Sequence, residues 1–318
     1  MSTQQLSRRT LFAGLASLTL AGCSPPKMAA LPVLKVGNQK GTVKALLTAA
    51  GVLDNLPYKI EWSEFPAAQH LLEALAAGAV DVGLVGDAPY LFAFAAGSPL
   101  KVVSALTYGD GSSTALIVPK ESPIRSVKDL RGKRVATGKI SVGQYLLLRA
   151  LEANGLNLHD IQPVYMAPSD AKAAFASGQI DAWSTWSPFL ATAIVKDGAR
   201  VIASGKGLMS SHAYQVATPD AIAHKLPQLR DFIARQNTAY VWAGSHQPEY
   251  AAALSRDTGL PSDVALAMVR DIRPSVAPLD DTLIAEAGDV VKHLAAASDE
   301  TLNPPPIAQA FAAEFRSA

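Results

Sequence analysis

The chain is poor in cysteine, with only Cys23 among its 318 residues, and this scarcity excludes several classes of protein. One cysteine cannot form an intramolecular disulfide, so apolar packing must stabilise the fold. Cysteine-based zinc sites and a thiolate nucleophile within the folded part are excluded as well. Histidine is also scarce, because the six histidines are scattered singly and none belongs to an H-E-x-x-H metal motif.

An excess of charge of one sign is absent too. The chain has 28 basic and 27 acidic residues. Removal of residues 1–22 would take away Arg8 and Arg9 and no acidic residue, leaving 26 basic residues against 27 acidic ones. A nucleic-acid-binding protein needs a basic face, so we expect no nucleic-acid partner. A hydrophobic content of 49% with 17% charged residues indicates a globular protein, most naturally one of two domains.

Catalytic and phosphate-binding signatures are missing. The sequence contains no G-x-S-x-G elbow and neither of the glycine-rich patterns G-x-x-x-x-G-K-[ST] and G-x-G-x-x-G. His212, beside Ser210 and Ser211, is the one candidate for base chemistry, and no acidic partner can be assigned to it from the sequence. We therefore predict a binding protein without enzymatic activity, cofactor or metal ion.

The first 22 residues resemble an export signal that is removed from the mature protein. Residues 7–12 are similar to a twin-arginine motif, although the arginine pair also suits a Sec signal. The following apolar region, Leu11–Leu20, is too short to span a membrane. Leu20-Ala21-Gly22-Cys23 resembles a lipobox, so we expect Cys23 to carry lipid; the alternative is an ordinary cleaved signal with an incidental cysteine. Residues 23–32 would then tether the protein to the membrane, in the periplasm or cell envelope.

The chain contains an internal repeat with a spacing of 100 residues. In both copies, 77–82 and 177–182, a helix ends at glycine, a strand follows and a proline opens the next helix. Strands alternating with helices predict βαβ units. We therefore predict an α/β fold of two lobes, with mainly parallel sheets flanked by helices and a ligand cleft between the lobes. Lobe one would comprise residues 33–118 and 217–318, and lobe two residues 119–216.

Loops at strand ends supply candidate ligand contacts. Trp183 and Trp186 stand just beyond a predicted strand that ends at residue 182, and they suit a pocket, although either could be core. Gln39 lies in a predicted glycine-flanked loop that could equally be a solvated turn. Ser141, near a helix N-terminus, could bind an anion or simply cap the helix.

Five segments together resemble the periplasmic aliphatic-sulfonate-binding proteins. They are QKGT from Gln39, EFPA-x-x-x-LLEALAAG-x-VDVG from Glu64, GDAP from Gly86, SVG from Ser141 and DAW-x-x-W-x-P from Asp181. The wider group contains the taurine, nitrate and thiamine-precursor receptors of ABC importers. The resemblance implies a type II periplasmic-binding-protein fold, whose two lobes close on a ligand and pass it unchanged to a permease and an ATPase.

With the loops above, the resemblance predicts ligand contacts in the cleft at Gln39, Gly86, Asp87, Ala88, Ser141, Val142, Gly143, Trp183, Trp186, Ser187, Ser211 and Tyr214. We assign an anionic head group to the amides near Ala88 and Ser141 and to the side chains of Gln39 and Ser187. The two tryptophans would cover an apolar tail. Asp87 would either cap its helix or meet an ammonium group such as that of taurine.

Two departures from the family pattern leave the ligand open. Trp186-Ser187-Pro188 stands where Trp-Asp-Pro is common, and Ser141-Val142-Gly143-Gln144 stands where S-x-x-H is often found. The predicted function is that of a monomeric solute-binding lipoprotein that delivers aliphatic sulfonates to an ABC importer. The alternatives are another small ligand (taurine, nitrate, a sulfate ester or a thiamine-precursor pyrimidine), an enzyme of pyrimidine or organosulfur metabolism on the same fold, and a sensor ectodomain.

Overall fold

Two β-sheets with helices packed on their faces form the computed structural model, which describes residues 31–39, 41, 43–296 and 304–317. The predicted export signal, Cys23 and residues 24–30 of the tether lie outside the described residues. Within the described ranges, no helix combines the length and the apolar character needed to cross a bilayer.

Strands and helices alternate along most of the chain, and helices dominate its last third. The strands are β1 Val33–Gln39, β2 Lys59–Phe65, β3 Val82–Gly86, β4 Lys101–Tyr108, β5 Thr114–Val118, β6 Arg134–Thr137, β7 Gln162–Tyr165, β8 Ala182–Trp186, β9 Arg200–Ser204, β10 His212–Ala217 and β11 Pro274–Ala277. The helices are α1 Val43–Ala49, α2 Ala68–Ala76, α3 Asp87–Ala95, α4 Val142–Ala153, α5 Pro168–Ala176, α6 Phe189–Asp197, α7 Pro219–His224, α8 Leu226–Ser245, α9 Gln247–Thr258, α10 Ser262–Ile272 and α11 Asp281–Ala296. Short 3₁₀ turns lie at Val127–Leu130, Leu158–Asp160, Ile307–Ala310 and Ala313–Phe315.

Both sheets are mixed, although most of their strands run in one direction. The first sheet has the order β11-β4-β10-β3-β1-β2 and the second β7-β6-β8-β5-β9. In the first, β1 pairs in parallel with β2 and β3, and β10 lies antiparallel between β3 and β4. In the second, β6 pairs in parallel with β7 and β8, and β5 lies antiparallel between β8 and β9. The α/β prediction holds, and the predicted parallel sheets each carry an inserted antiparallel strand.

The chain passes between the sheets twice, at residues 109–113 and 205–211. The predicted lobe boundaries differ from these points, because they place β5 with lobe one and most of β10 with lobe two. Strand pairing puts β5 in the second sheet and β10 in the first. A crossing strand must pair inside a sheet to satisfy its backbone groups, and a continuous apolar strand carries no mark of its partner in the sequence.

The internal repeat corresponds to equivalent elements of the two sheets. Helix α2 ends before Gly78, with φ +69°, and α5 ends before Gly178, with φ +72°. Only glycine adopts this left-handed conformation at low cost. Each glycine turns the chain into a strand that pairs in parallel with the strand two before it in chain order, β3 with β1 and β8 with β6.

Apolar side chains cover both faces of each sheet. On β10, Ala213 and Ala217 belong to the cluster packed under α1, α8, α9 and α10, whereas Tyr214 and Val216 belong to the cluster under α2, α3 and α11. Alternate side chains of a strand point to opposite faces, so the first sheet is buried on both sides. The carboxyl ends of β1, β3, β6 and β8 are left to form loops and helix starts, and these structures build the site.

Candidate ligand-binding site

A cavity of about 370 Å³ lies between the two sheets, at the carboxyl ends of β1, β3 and β8. Eight of the predicted contacts line it: Gln39, Gly86, Asp87, Ser141, Val142, Trp186, Ser187 and Ser211. The two crossing segments contribute as well, through Ser113 and Ser210. A cavity of this size falls within the range of small-molecule sites.

Three helices begin at the wall of this cavity. The first residues of α3, α4 and α6, or the residues just before them, belong to the lining. The first amides of a helix have no intrahelical partner, and the aligned peptide dipoles place partial positive charge there. A helix N-terminus is therefore suited to an anion, provided that no side chain of the protein already occupies it.

The N-terminus of α3 is already occupied by Asp87. One carboxylate oxygen of Asp87 accepts the amide of Ala88 at 2.6 Å, and the other accepts the hydroxyl of Ser210 at 2.6 Å. The Ala88 amide, a predicted ligand contact, thus already has an acceptor within the protein, and Ala88 does not line the cavity. Of the two roles considered for Asp87, the structure shows the one at the start of its own helix.

Burial sets the protonation of Asp87, whose exposed fraction is 1%. Loss of solvent raises its pKa to about 6, against the opposing effects of the Ser210 hydroxyl, the electrostatic interaction with His212 and the local amides. Desolvation disfavours the charged form of a carboxylic acid. Asp87 therefore changes charge just below neutral pH, at the wall of the cavity.

The N-terminus of α4 is capped by Ser141. Its hydroxyl accepts the amide of Gln144 at 3.1 Å and donates to the carbonyl of Gly138 at 2.7 Å. The hydroxyl is thus engaged in capping, which was the alternative to anion binding. Ser141 and Val142 still line the cavity, so this helix end remains part of the cavity wall.

Ser187, just before α6, has an unsatisfied hydroxyl. Its Oγ is buried and makes no hydrogen bond within the described part of the chain. Its amide donates to the carbonyl of Ser113 at 3.0 Å, which fixes the residue against the first crossing segment. A buried hydroxyl without a partner costs free energy, and Ser187 lines the cavity, so its hydroxyl is a candidate donor to a ligand.

The two tryptophans lie on opposite faces of β8. The strand extends to Trp186, four residues beyond the predicted end, so residues three apart point to opposite sides. Trp186 is half-buried and lines the cavity. Trp183 is 1% exposed and packs against Phe175 and Phe189, with ring centroids 5.8 and 6.0 Å apart. Trp183 therefore lies in the core behind the cavity and not in its wall.

Gly143 and Tyr214 also lie behind the cavity wall. A Cβ at Gly143 would approach the carbonyl of Ser184 to 2.7 Å, so glycine permits the close packing of α4 on β8. The ring of Tyr214 is fully buried between Tyr90 and Phe311. Neither residue lines the cavity, although both were predicted to contact ligand.

Gln39 is the last residue of β1 rather than part of a loop. Its side-chain amide donates to the carbonyl of Leu84 at 2.9 Å, on the strand β3 that lies beside β1. This bond holds the glutamine across the strand ends, where it lines the cavity. The predicted loop begins only after Gln39.

His212 has a partner at each ring nitrogen. Its Nδ1 lies 3.2 Å from the Thr107 hydroxyl and its Nε2 lies 2.7 Å from a carboxylate oxygen of Glu286. Glu286, on α11, is the acidic partner that the sequence did not reveal. Over the residues that the structure describes, no group of three or more His, Cys, Asp or Glu side chains is arranged to hold a metal ion.

Several lining residues were missed by the sequence analysis. Gln69 on α2 donates to the carbonyls of Lys139 and Ile140, and so joins the two sides of the cavity. Ser210 was noted only for its position beside His212. A second group comes from the end of β4, from α8 to α10 and from the α9–α10 connection: Tyr108, Tyr240, Tyr250, Leu260, Met268 and Ile272. No motif marks this group, because its members are ordinary apolar or aromatic residues.

Comparison with known proteins gives a consistent picture. Residues 60–250 match the family described as NMT1/THI5 like. A putative aliphatic sulfonates-binding protein of Escherichia coli strain K12 is 36% identical over 244 residues, 76% of each chain. The alkanesulfonate-binding protein SsuA from Xanthomonas axonopodis pv. citri, solved bound to MOPS, is 33% identical with a TM-score of 0.80, covering 89% of this chain and 99% of that one.

Two further solved structures, a binding protein and an enzyme, share this fold. The periplasmic aliphatic sulphonate binding protein SsuA from Escherichia coli is 31% identical with a TM-score of 0.78, covering 88% of this chain and 91% of that one. The desulfurization enzyme DSZB shares the fold at 18% identity and a TM-score of 0.65, covering 89% of this chain and 97% of that one. The predicted two-lobed periplasmic-binding-protein fold is confirmed, and the chain belongs to the NMT1/THI5-like family.

Proposed function

We propose that the protein is the solute-binding component of an ABC importer, which captures aliphatic sulfonates between its two sheets and delivers them to a permease and its ATPase. One observation carries the proposal: the N-termini of α4 and α6 meet at a cavity wall that also holds the unpartnered hydroxyl of Ser187. The sulfonate-binding relatives, which match over most of the chain, support the same ligand class.

A sulfonate suits this wall because it is a permanent anion with three acceptor oxygens. No lysine or arginine is among the described residues that line the cavity, so helix dipoles and hydrogen bonds must provide the attraction. Hydrogen bonds to charged groups contribute roughly 1.5–3 kcal/mol each, and a helix N-terminus adds about 0.3–1 kcal/mol. Four or five such contacts reach micromolar affinity after ordering costs.

The head group would bind on the side of the second sheet. Ser187 donates its hydroxyl, and the first amides of α4 and α6 supply further donors. Gln39 completes the site from the first sheet, across the cavity. The α3 terminus is left out, because Asp87 occupies it and would repel an anion placed there.

We also propose that each sheet, with its helices, forms one lobe of a monomer that closes on the ligand. The export signal and lipobox support a location in the periplasm, with the lipid of Cys23 anchoring the protein through residues 23–32. The lobes would then receive ligand at the membrane surface, beside the permease.

Catalysis is not part of this proposal. His212 is the residue on which an enzymatic alternative rests, and both of its ring nitrogens are engaged, by Thr107 and Glu286. A general base needs a nitrogen within hydrogen-bond reach of the proton that it removes. This geometry favours a structural role for His212, at the edge of a binding site.

A thermal-shift screen of the mature protein tests the proposal. We expect alkanesulfonates to raise the melting temperature by about 5–10 °C at a hundredfold excess over Kd. Sulfate, nitrate and pyrimidines should cause no such shift at equal concentration. A shift with nitrate or a pyrimidine alone would retain the receptor and change its ligand, and no shift with any sulfonate would contradict the proposal.

A pair of serine variants provides the control for this screen. Ser187→Ala should weaken alkanesulfonate binding about tenfold, because it removes one hydrogen bond to a charged group. Ser177→Ala should leave binding unchanged, because the Ser177 hydroxyl bonds only to carbonyls of its own helix. Equal affinities in the two variants would exclude Ser187 from the head-group site.

A further inference from the structure

The cavity extends beyond the head-group wall into a chamber beneath α8, α9 and α10. We define the chamber by the residues Tyr108, Tyr240, Tyr250, Leu260, Met268 and Ile272. Tyr240, Tyr250 and Met268 are buried, with exposed fractions of 4%, 5% and 5%. All these residues come from the first-sheet side, and the proposed head-group donors Ser187, α4 and α6 come from the other.

Gly41 packs against a helix beside the chamber. Gly41 follows Gln39 by two residues and lines the same cavity. Its φ of +82° is left-handed, and a Cβ in its place would lie 2.5 Å from Cγ2 of Thr258 at the end of α9. The absence of a side chain at Gly41 therefore allows its backbone to lie directly against the end of α9.

The chamber wall is aromatic and uncharged. Burial raises the pKa of Tyr108, Tyr240 and Tyr250 well above its usual range, so all three remain neutral phenols. Gln236 donates to the Tyr240 hydroxyl at 3.3 Å, which fixes that ring from behind. Met268 adds a polarisable sulfur, which contacts aromatic rings favourably.

We propose that this chamber is the tail-binding subsite, and that it selects sulfonates whose tail ends in a ring, above all an aromatic ring. The inference rests on the proposed function and names a narrower substrate class for the same site. A two-carbon sulfonate is too small to fill a cavity of about 370 Å³. Tyrosine faces and edges add attraction for a ring beyond simple burial.

The strength of this selection follows from general magnitudes. Burial of each additional methylene increases affinity about fourfold. Aromatic pairing adds a further factor of roughly 2 to 12 over a saturated group of equal size. Phenylethanesulfonate should therefore bind more tightly than cyclohexylethanesulfonate, and both should bind at least about tenfold more tightly than ethanesulfonate.

Isothermal titration of the mature protein with these three sulfonates tests the inference. Leu260→Trp places a large side chain in the chamber from a half-buried position. Ile272→Trp does the same from another half-buried position. Val241→Trp is the matched control on α8, because Val241 is 76% exposed. We expect Leu260→Trp to change ethanesulfonate affinity less than about twofold and to bring both ring sulfonates within about threefold of it.

The outcomes separate this inference from the proposed function. Ring sulfonates that bind the wild-type protein no better than ethanesulfonate would overturn the chamber as a tail subsite and leave the sulfonate receptor intact. An equal loss for all three ligands in Leu260→Trp, but not in Val241→Trp, would also overturn it. Failure of every sulfonate to bind would overturn the proposed function, and the inference with it. If neither tryptophan variant folds, the ligand series on the wild-type protein decides.

Discussion

At the scale of single residues, Asp87 and Ser187 define the polarity of the cavity. They stand 100 residues apart, at equivalent places in the two halves of the internal repeat. Asp87 supplies its own helix N-terminus with a carboxylate, whereas Ser187 leaves the start of α6 without one. The same architecture thus offers one helix end that is already neutralised and one that is open to an external anion.

The charge of Asp87 should make sulfonate binding depend on pH. Burial raises its pKa to about 6, whereas a sulfonate stays ionised throughout. Protonation removes a negative charge from the cavity wall, so the Kd for alkanesulfonates should fall about threefold or more as pH falls from about 7.5 to about 5. Isothermal titration across this range measures the effect.

Three variants test whether Asp87 is the group that causes the pH dependence of binding. Asp87→Asn should bind more tightly at neutral pH and lose the pH dependence. Ser210→Ala should move the midpoint to higher pH, because the Ser210 hydroxyl stabilises the charged carboxylate. Glu286→Gln changes the hydrogen-bond partner of His212 and should leave the midpoint in place. A Kd that is constant over this range in the wild-type protein would place Asp87 away from the bound anion.

At the scale of elements, two aspartates bind the equivalent strands β3 and β8 of the internal repeat to their parallel partners. The Asp81 carboxylate, before β3, accepts the amide of Lys35 on β1 and the ammonium of Lys225, both at 2.7 Å. The Asp181 carboxylate, before β8, accepts the amide of Arg134 on β6 at 2.8 Å and also binds its guanidinium. Each aspartate thereby fixes the register of a parallel pair whose carboxyl ends form the site.

These aspartates should differ in their contribution to stability. Asp81 is 7% exposed, so Asp81→Ala leaves a strand amide and an ammonium without their acceptor and should cost about 3 kcal/mol of unfolding free energy. Asp181→Ala should cost about 1–2 kcal/mol, because the Arg134 side chain is 42% exposed and partly screened. Urea unfolding measures both values.

The pH dependence of the Asp181 contribution has a definite sign. Arg134 lowers the pKa of Asp181 below its usual value. The contribution is therefore present above the unfolded-state pKa and is lost as pH falls through the folded-state pKa. Asp181→Asn, which keeps one acceptor oxygen, should lie between wild type and Asp181→Ala. A loss in Asp181→Ala equal to that in Asp81→Ala would contradict the ranking by burial.

The sequence predicts the helices and strands better than it predicts the face of a strand or helix on which a side chain lies. Glycine and proline signals located the helices and the internal repeat, because those residues act on the local backbone. The full length of β8 was not predicted, because Trp183 and Trp186 are separated by two hydroxyl residues, which suit a loop as well as a strand. A strand end placed at residue 182 gave both tryptophans the same role, and the actual strand gives them opposite ones.

At the scale of the whole molecule, the two sheets are joined on both sides of the cavity. Gln69 on α2 reaches the β6–α4 loop, and Lys196 on α6 forms an ion pair with Asp263 on α10 at 2.6 Å. The cavity is therefore bounded by contacts between side chains distant in sequence. Such pairs, like His212 with Glu286, have no local signature, which is why the sequence located the strand ends of the site but not its chamber or its bridging contacts.

A crystal structure of the mature protein with hexanesulfonate tests the central claim most directly. We predict that the sulfonate group lies within hydrogen-bond distance of Ser187 Oγ and faces the first amides of α4 and α6, with its alkyl chain directed toward Tyr240 and Tyr250. A sulfonate at the start of α3 or beside His212, or a ligand found only outside the cavity, would contradict the account.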